Sequence, residues 1–117
     1  MYIGDVSKNT GLSVKTIRFY EERGLINPMR QGRYRVYSAS DVEILNLIRE
    51  AKALGATLSQ LSNVIVYKEG EVDWLRIGVF LDELRQNLLE KISELQTKVQ
   101  QIEQCQEAIR NTAPKKA

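Results

Sequence analysis

The chain has 117 residues, enough for one small domain with an extension and too few for two full cores. With 43% hydrophobic and 27% charged residues its composition is ordinary, and no run of about 18 apolar residues offers a membrane span. Seventeen Lys and Arg against fifteen Asp and Glu leave a net charge of +2, too small to argue for a nucleic-acid partner by itself.

The opening Met1-Tyr2-Ile3-Gly4-Asp5 has neither the basic nor the apolar stretch of a secretory signal, and one cysteine cannot close an intrachain disulfide. A reducing, cytoplasmic setting is the expectation. A first helix is predicted from about Ile3 to Thr10, stopped by Gly11, whose missing Cβ suits the left-handed residue after a helix. Ser13 is placed to cap a second helix from Val14 to about Arg23, ended by Gly24. Val6, Leu12, Val14, Ile17 and Leu25 can meet between these two helices, and the glycine-containing turn joining them is short. That is a helix-turn-helix signal. In such a motif the second helix enters the major groove N-terminal residues first. The exposed candidates for DNA contact are therefore Lys15, Thr16, Arg18, Phe19 and Tyr20, with Lys15 and Arg18 donating to bases or phosphates and Tyr20 giving its phenolic hydrogen to a phosphate.

Residues 27–37 change character. Pro28, Gly32 and the alternation around Tyr34, Val36 and Tyr37 predict two short strands joined near Gln31-Gly32, a wing that must lean on the helices. Arg33, Tyr34 and Arg35 sit on it, suited to the phosphate backbone or to a narrow minor groove. Ser38 and Asp41 resemble a capping box and open a third helix with Val42, Leu45, Ile48 and Leu54 on its apolar stripe, stopped by Gly55. Thr57-Leu58-Ser59-Gln60 is a cleaner box and starts a fourth helix to about Val66. Basic residues favour this half: residues 1–66 hold nine Lys and Arg against six Asp and Glu, residues 67–117 eight against nine.

Lys68-Glu69-Gly70 reads as a polar, hinge-like break. A long helix follows from about Val72 to Asn111, roughly 60 Å at about 1.5 Å per residue. Its apolar positions Leu81, Leu84, Leu88, Ile92, Leu95, Val99, Ile102 and Ile109 are spaced 3, 4, 4, 3, 4, 3 and 7, heptad-like from Leu88 onward. Nothing else in the chain is large enough to bury that stripe, so a second copy is the expected partner. The organisation read from the sequence is a DNA-binding domain over 1–70, a dimerisation helix over 71–112 and a frayed polar tail over 113–117.

The ordered set Ile3-Gly4-Asp5-Val6, Thr16 to Leu25, the wing Gly32-Arg33-Tyr34-Arg35, and Ala51-Lys52-Ala53-Leu54-Gly55-Ala56-Thr57-Leu58 resembles the DNA-binding domain of MerR-type transcription regulators. The family's wing usually reads Gly-Tyr-Arg, so Arg33 is an additional residue here. The resemblance implies a mainly α fold, a winged helix-turn-helix followed by an antiparallel coiled coil, and a homodimer on a pseudo-palindromic promoter operator. It further implies an effector that bends and undertwists an overlong promoter spacer, with RNA polymerase involved indirectly.

The signal itself is not legible. Metal sensors of the family use cysteines and histidines near both ends of the dimer helix, whereas this chain has one cysteine and no histidine, so no metal or other cofactor is expected. Cys105, beside the seam near Ile102 and Ile109, reads as a small apolar filler, with a redox thiol or a cross-link between subunits as the alternatives. Tyr67, Trp74 and Phe80 either line a ligand pocket or pin the long helix to the core. Other classes of function remain distinguishable. An architectural or recombination-directing binder would bend DNA without an effector, and an interaction module would bind DNA weakly and without sequence preference. With no histidine, Gly-rich phosphate loop, Gly-x-Ser-x-Gly or metal-ligand cluster in the sequence, an enzyme is not expected.

Overall fold

A computed structural model describes residues 1–112; the polar-tail expectation for 113–117 lies outside them. The order of elements is α1 (Ile3–Thr10), α2 (Val14–Glu22), β1 (Met29–Gln31), β2 (Tyr34–Val36), α3 (Ala39–Ala53), α4 (Leu58–Val64), β3 (Tyr67–Lys68), β4 (Glu71–Val72) and α5 (Trp74–Thr112). Two compact units are distinguished, Met1–Phe80 and the chain from Leu81 onward.

In the first unit the local signals of the sequence place the helix ends. Gly11 adopts φ 74° and donates its N–H to Ser7, closing α1. The Ser13 hydroxyl accepts the Thr16 N–H at 3.1 Å and starts α2. Both capping boxes form, Ser38 with Asp41 on α3 and Thr57 with Gln60 on α4. Asp41 is nearly buried, and its other carboxylate oxygen accepts the Asn27 N–H at 3.3 Å, tying the segment after α2 to the start of α3.

Between these helices lies one core of Val6, Ile17, Leu25, Ile26, Tyr37, Ile44, Leu45, Ile48 and Leu61, extended by Ile65, Val72 and Ile77. Arg49 donates to the carbonyl of Thr10, so α3 closes the free end of α1. The α3 stripe is carried by Ile44, Leu45, Ile48 and Ala51. Leu54, expected on it, is 60% exposed because it sits at the C-cap, where the chain turns away from the core.

Two antiparallel hairpins complete the unit. In the wing Met29 pairs with Val36, Arg30 with Arg35 and Gln31 with Tyr34. Gly32 takes φ 63° at the first position of the two-residue turn, which glycine adopts without steric cost. The second hairpin corrects the reading of Lys68-Glu69-Gly70 as a hinge. Tyr67 pairs with Val72 and Lys68 with Glu71 across a turn whose two central residues both have positive φ, Glu69 at 54° and Gly70 at 80°. Val72 therefore belongs to a strand, and α5 starts at Trp74, with Asp73 accepting the Arg76 N–H at 3.2 Å as its cap.

Candidate nucleic-acid interface

Helix α2 divides cleanly between core and surface. Ile17 is fully buried and Tyr20, three residues on, shares its face and is 4% exposed. The expectation that Tyr20 lies on the exposed face is thus corrected: its ring is part of the core. Lys15, Arg18 and Phe19 do face outward, and with Val14 and Glu22 they line a shallow groove along the helix. Among the described residues neither Lys15 nor Arg18 has a hydrogen-bond or ion-pair partner, so both charges are available. Thr16 is half-buried, and its hydroxyl accepts the Ser13 hydroxyl at 2.8 Å. Arg23 lies over the Phe19 ring, 5.1 Å from its centroid, a cation–π contact that adds a cation to this face.

The wing brings its residues to the same place. Arg18 of α2, Arg33 of the turn and Tyr34 and Arg35 of β2 border one hollow of about 100 Å³, backed by Tyr37 and by Tyr2 from the N-terminal segment. Tyr2 meets Tyr34 edge to face with centroids 5.8 Å apart. It is held there because the Met1 nitrogen donates to the Tyr37 carbonyl at 3.1 Å and the Tyr37 N–H to the Met1 carbonyl at 2.7 Å.

Arg35 differs from the other two arginines. Its Nε–H donates to Glu21 Oε2 at 2.6 Å, while the Tyr37 hydroxyl donates to Glu21 Oε1 at 3.2 Å. The hydrogen bond to Glu21 raises the Arg35 pKa further. Burial, and then the Glu21 charge, push the Tyr37 phenol up to about 12. Sequence reading did not single out Tyr2, Glu21, Arg23 or Arg30. Glu21 could have been found from its i+3 spacing to Arg18 on α2, and Arg30 from the hairpin register that sets it opposite Arg35.

The coiled-coil candidates lie on α5. Leu81, Leu88, Ile92, Leu95, Val99, Ile102 and Ile109 are all exposed, from 38% at Leu81 to 67% at Ile109, and Leu84 is half-buried. Cys105 beside them is a free, exposed thiol. Of the three aromatics near the start of α5, Tyr67 and Phe80 pack against the core, and the Tyr67 hydroxyl donates to the Leu25 carbonyl at 2.8 Å. Trp74 stays 45% exposed and lines a cavity of about 390 Å³ with Tyr67, Asp41 and Glu71. Among the described residues no helix is long and apolar enough to cross a membrane.

A helix-turn-helix with a free basic face, a wing whose arginines meet that face, and a long helix define the winged DNA-binding regulators as a class. Within that class the chain belongs to the MerR family, as residues 1–68 match the MerR HTH family regulatory protein domain. Along its length it is 31% identical over 115 residues to heavy metal-dependent transcription regulator 2 of Rhizobium meliloti, spanning 97% of this chain and 74% of that one. It is 32% identical over 125 residues to the HTH-type transcriptional regulator CueR of Escherichia coli O6:H1, spanning 97% and 84%. The fold is similar to that of HiNmlR, a MerR family regulator lacking the sensor domain and solved bound to promoter DNA, with a TM-score of 0.59 at 23% identity over 86% of this chain and 78% of that one. The protein is a MerR-family transcriptional regulator and not an enzyme.

Proposed function

We propose that the protein acts as a homodimer that binds a pseudo-palindromic promoter site and regulates transcription by distorting the spacer DNA, affecting RNA polymerase through the geometry of the promoter. The observation that carries the DNA contact is the convergence of Arg18 and Arg33, from two separate elements, on one hollow of about 100 Å³. That is room for a phosphate oxygen cluster rather than for a metabolite. In this reading α2 lies in the major groove with Lys15, Thr16, Arg18 and Phe19 toward the bases, and Arg33 and Tyr34 hold the backbone beside it. Promoter DNA bound to the structural relative HiNmlR supports the same choice of ligand. Twisting a duplex costs a few kcal/mol, of the order a ligand-driven shift in a bistable dimer supplies.

The heavy-metal response in the name of one relative belongs to that protein, and the one cysteine of this sequence does not by itself define a metal site. The effector stays unassigned.

Arg18→Ala tests the reading. Binding to the protein's own promoter duplex, measured by fluorescence anisotropy at fixed salt, is expected to weaken by about 1–3 kcal/mol if Arg18 reads a base edge. Equal affinity of wild type and variant would remove Arg18 from the interface.

A further inference from the structure

Among the described residues Glu21 is the carboxylate that bridges the second helix of the motif and the wing. Glu21 uses both oxygens, Oε2 for Arg35 Nε at 2.6 Å and Oε1 for the Tyr37 hydroxyl at 3.2 Å. Its side chain is 22% exposed and that of Arg35 is 33% exposed, so the pair is partly shielded from solvent. Across the hairpin Arg35 is registered directly opposite Arg30, an arrangement of like charges that is unfavourable unless an anion stands beside it. Arg18 and Arg33 border the same hollow with no intramolecular partner among the described residues.

We propose that Glu21 is a positioning residue that sets both the place of the wing and the charge of the interface. By engaging Arg35 it holds β2 against α2 and withholds that arginine from the duplex, leaving Arg18 and Arg33 as the phosphate-binding pair. This assignment rests on the DNA-binding reading above and adds to it the number of cations each subunit presents. A fixed wing with a limited charge favours contacts that depend on register over indiscriminate attraction to any backbone.

Salt dependence separates this role from a purely structural one. Each phosphate neutralised contributes about −0.9 to the slope of log K against log salt. Glu21→Gln keeps an acceptor for Tyr37 and removes the charge that holds Arg35. On a short duplex of arbitrary sequence, the variant is expected to bind roughly 3–10-fold more tightly at low salt, with a slope steeper by about 0.9 per bound subunit. Its preference for promoter over arbitrary duplex is expected to fall by about tenfold, as an added non-specific contact lacks sequence information. In Glu21→Gln/Arg35→Ala the slope is expected to return to the wild-type value.

An unchanged slope in Glu21→Gln with wild-type circular dichroism, or a steeper slope that persists in the double variant, would overturn the proposal. Arg35→Ala alone guards against a folding defect in Glu21→Gln. It is expected to leave the slope unchanged, and a flattening by about 0.9 per subunit would show Arg35 already bound to phosphate. Failure of the underlying reading looks different: the wild-type protein would then show no preference between promoter and arbitrary duplex.

Discussion

At the scale of single residues, Tyr37 shows how fold and interface share side chains. Its ring is buried, its backbone pairs with Met1, and its hydroxyl reaches the carboxylate that also holds Arg35. Tyr37 and Tyr67 both have phenols pushed up to about 12, first by burial and then by Glu21 and Asp41 respectively. An unfolded tyrosine ionises near pH 10, so the folded state prefers the neutral phenols. Their contribution to stability is fully present below about pH 10 and is lost as pH rises from there through about 12. Unfolding followed by circular dichroism alongside tyrosinate absorbance is expected to show that loss at alkaline pH; stability independent of pH over that window would contradict the assigned environments. Cys105 is exposed and its neighbours supply no close cation but Arg110. Cys105→Ser is expected to leave promoter binding and its response to oxidant unchanged, and a response abolished by the substitution would make the thiol a sensor.

Elements are held by caps that are local in sequence, which is why most were legible. Ser-x-x-Asp and Thr-x-x-Gln announce α3 and α4, and the structure completes both boxes. Ser38→Ala is expected to lower the unfolding free energy in urea by about 1 kcal/mol, because the Asp41 N–H at the start of α3 loses its acceptor. A change below a few tenths would mean that solvent replaces the cap at no cost. The second hairpin was not legible for a physical reason. Its strands are two residues each, too short to show alternation, and Glu69-Gly70 lacks the Asn-Gly or Asp-Gly signature of a turn with two positive φ values. The pairing of Tyr67 with Val72 is decided by the core that Val72 enters, and that core is built from distant residues.

For the whole molecule, the prominent unsatisfied feature is the apolar stripe on α5, exposed at Leu88, Ile92, Leu95, Val99, Ile102 and Ile109. A second copy of the same helix would bury it. Leu88→Asp or Leu95→Asp would set an unpaired charge in that desolvated seam and is expected to convert a dimer into monomers in sedimentation experiments; a dimer that survives either change would move the seam elsewhere. The sequence by itself determined what depends on neighbours within a few positions: helix limits at Gly11, Ser13, Ser38 and Thr57, and the heptad spacing of α5. Only the tertiary structure decided that Tyr20 is core, that Tyr2 backs the interface, that Arg35 is held by Glu21 fourteen positions away, and that the chain after α4 is a hairpin. Caps and periodicity act through bonds made inside one turn of chain. Which charge is free and which aromatic is buried depends instead on surfaces brought together from separate elements, and that meeting exists only once the core has formed.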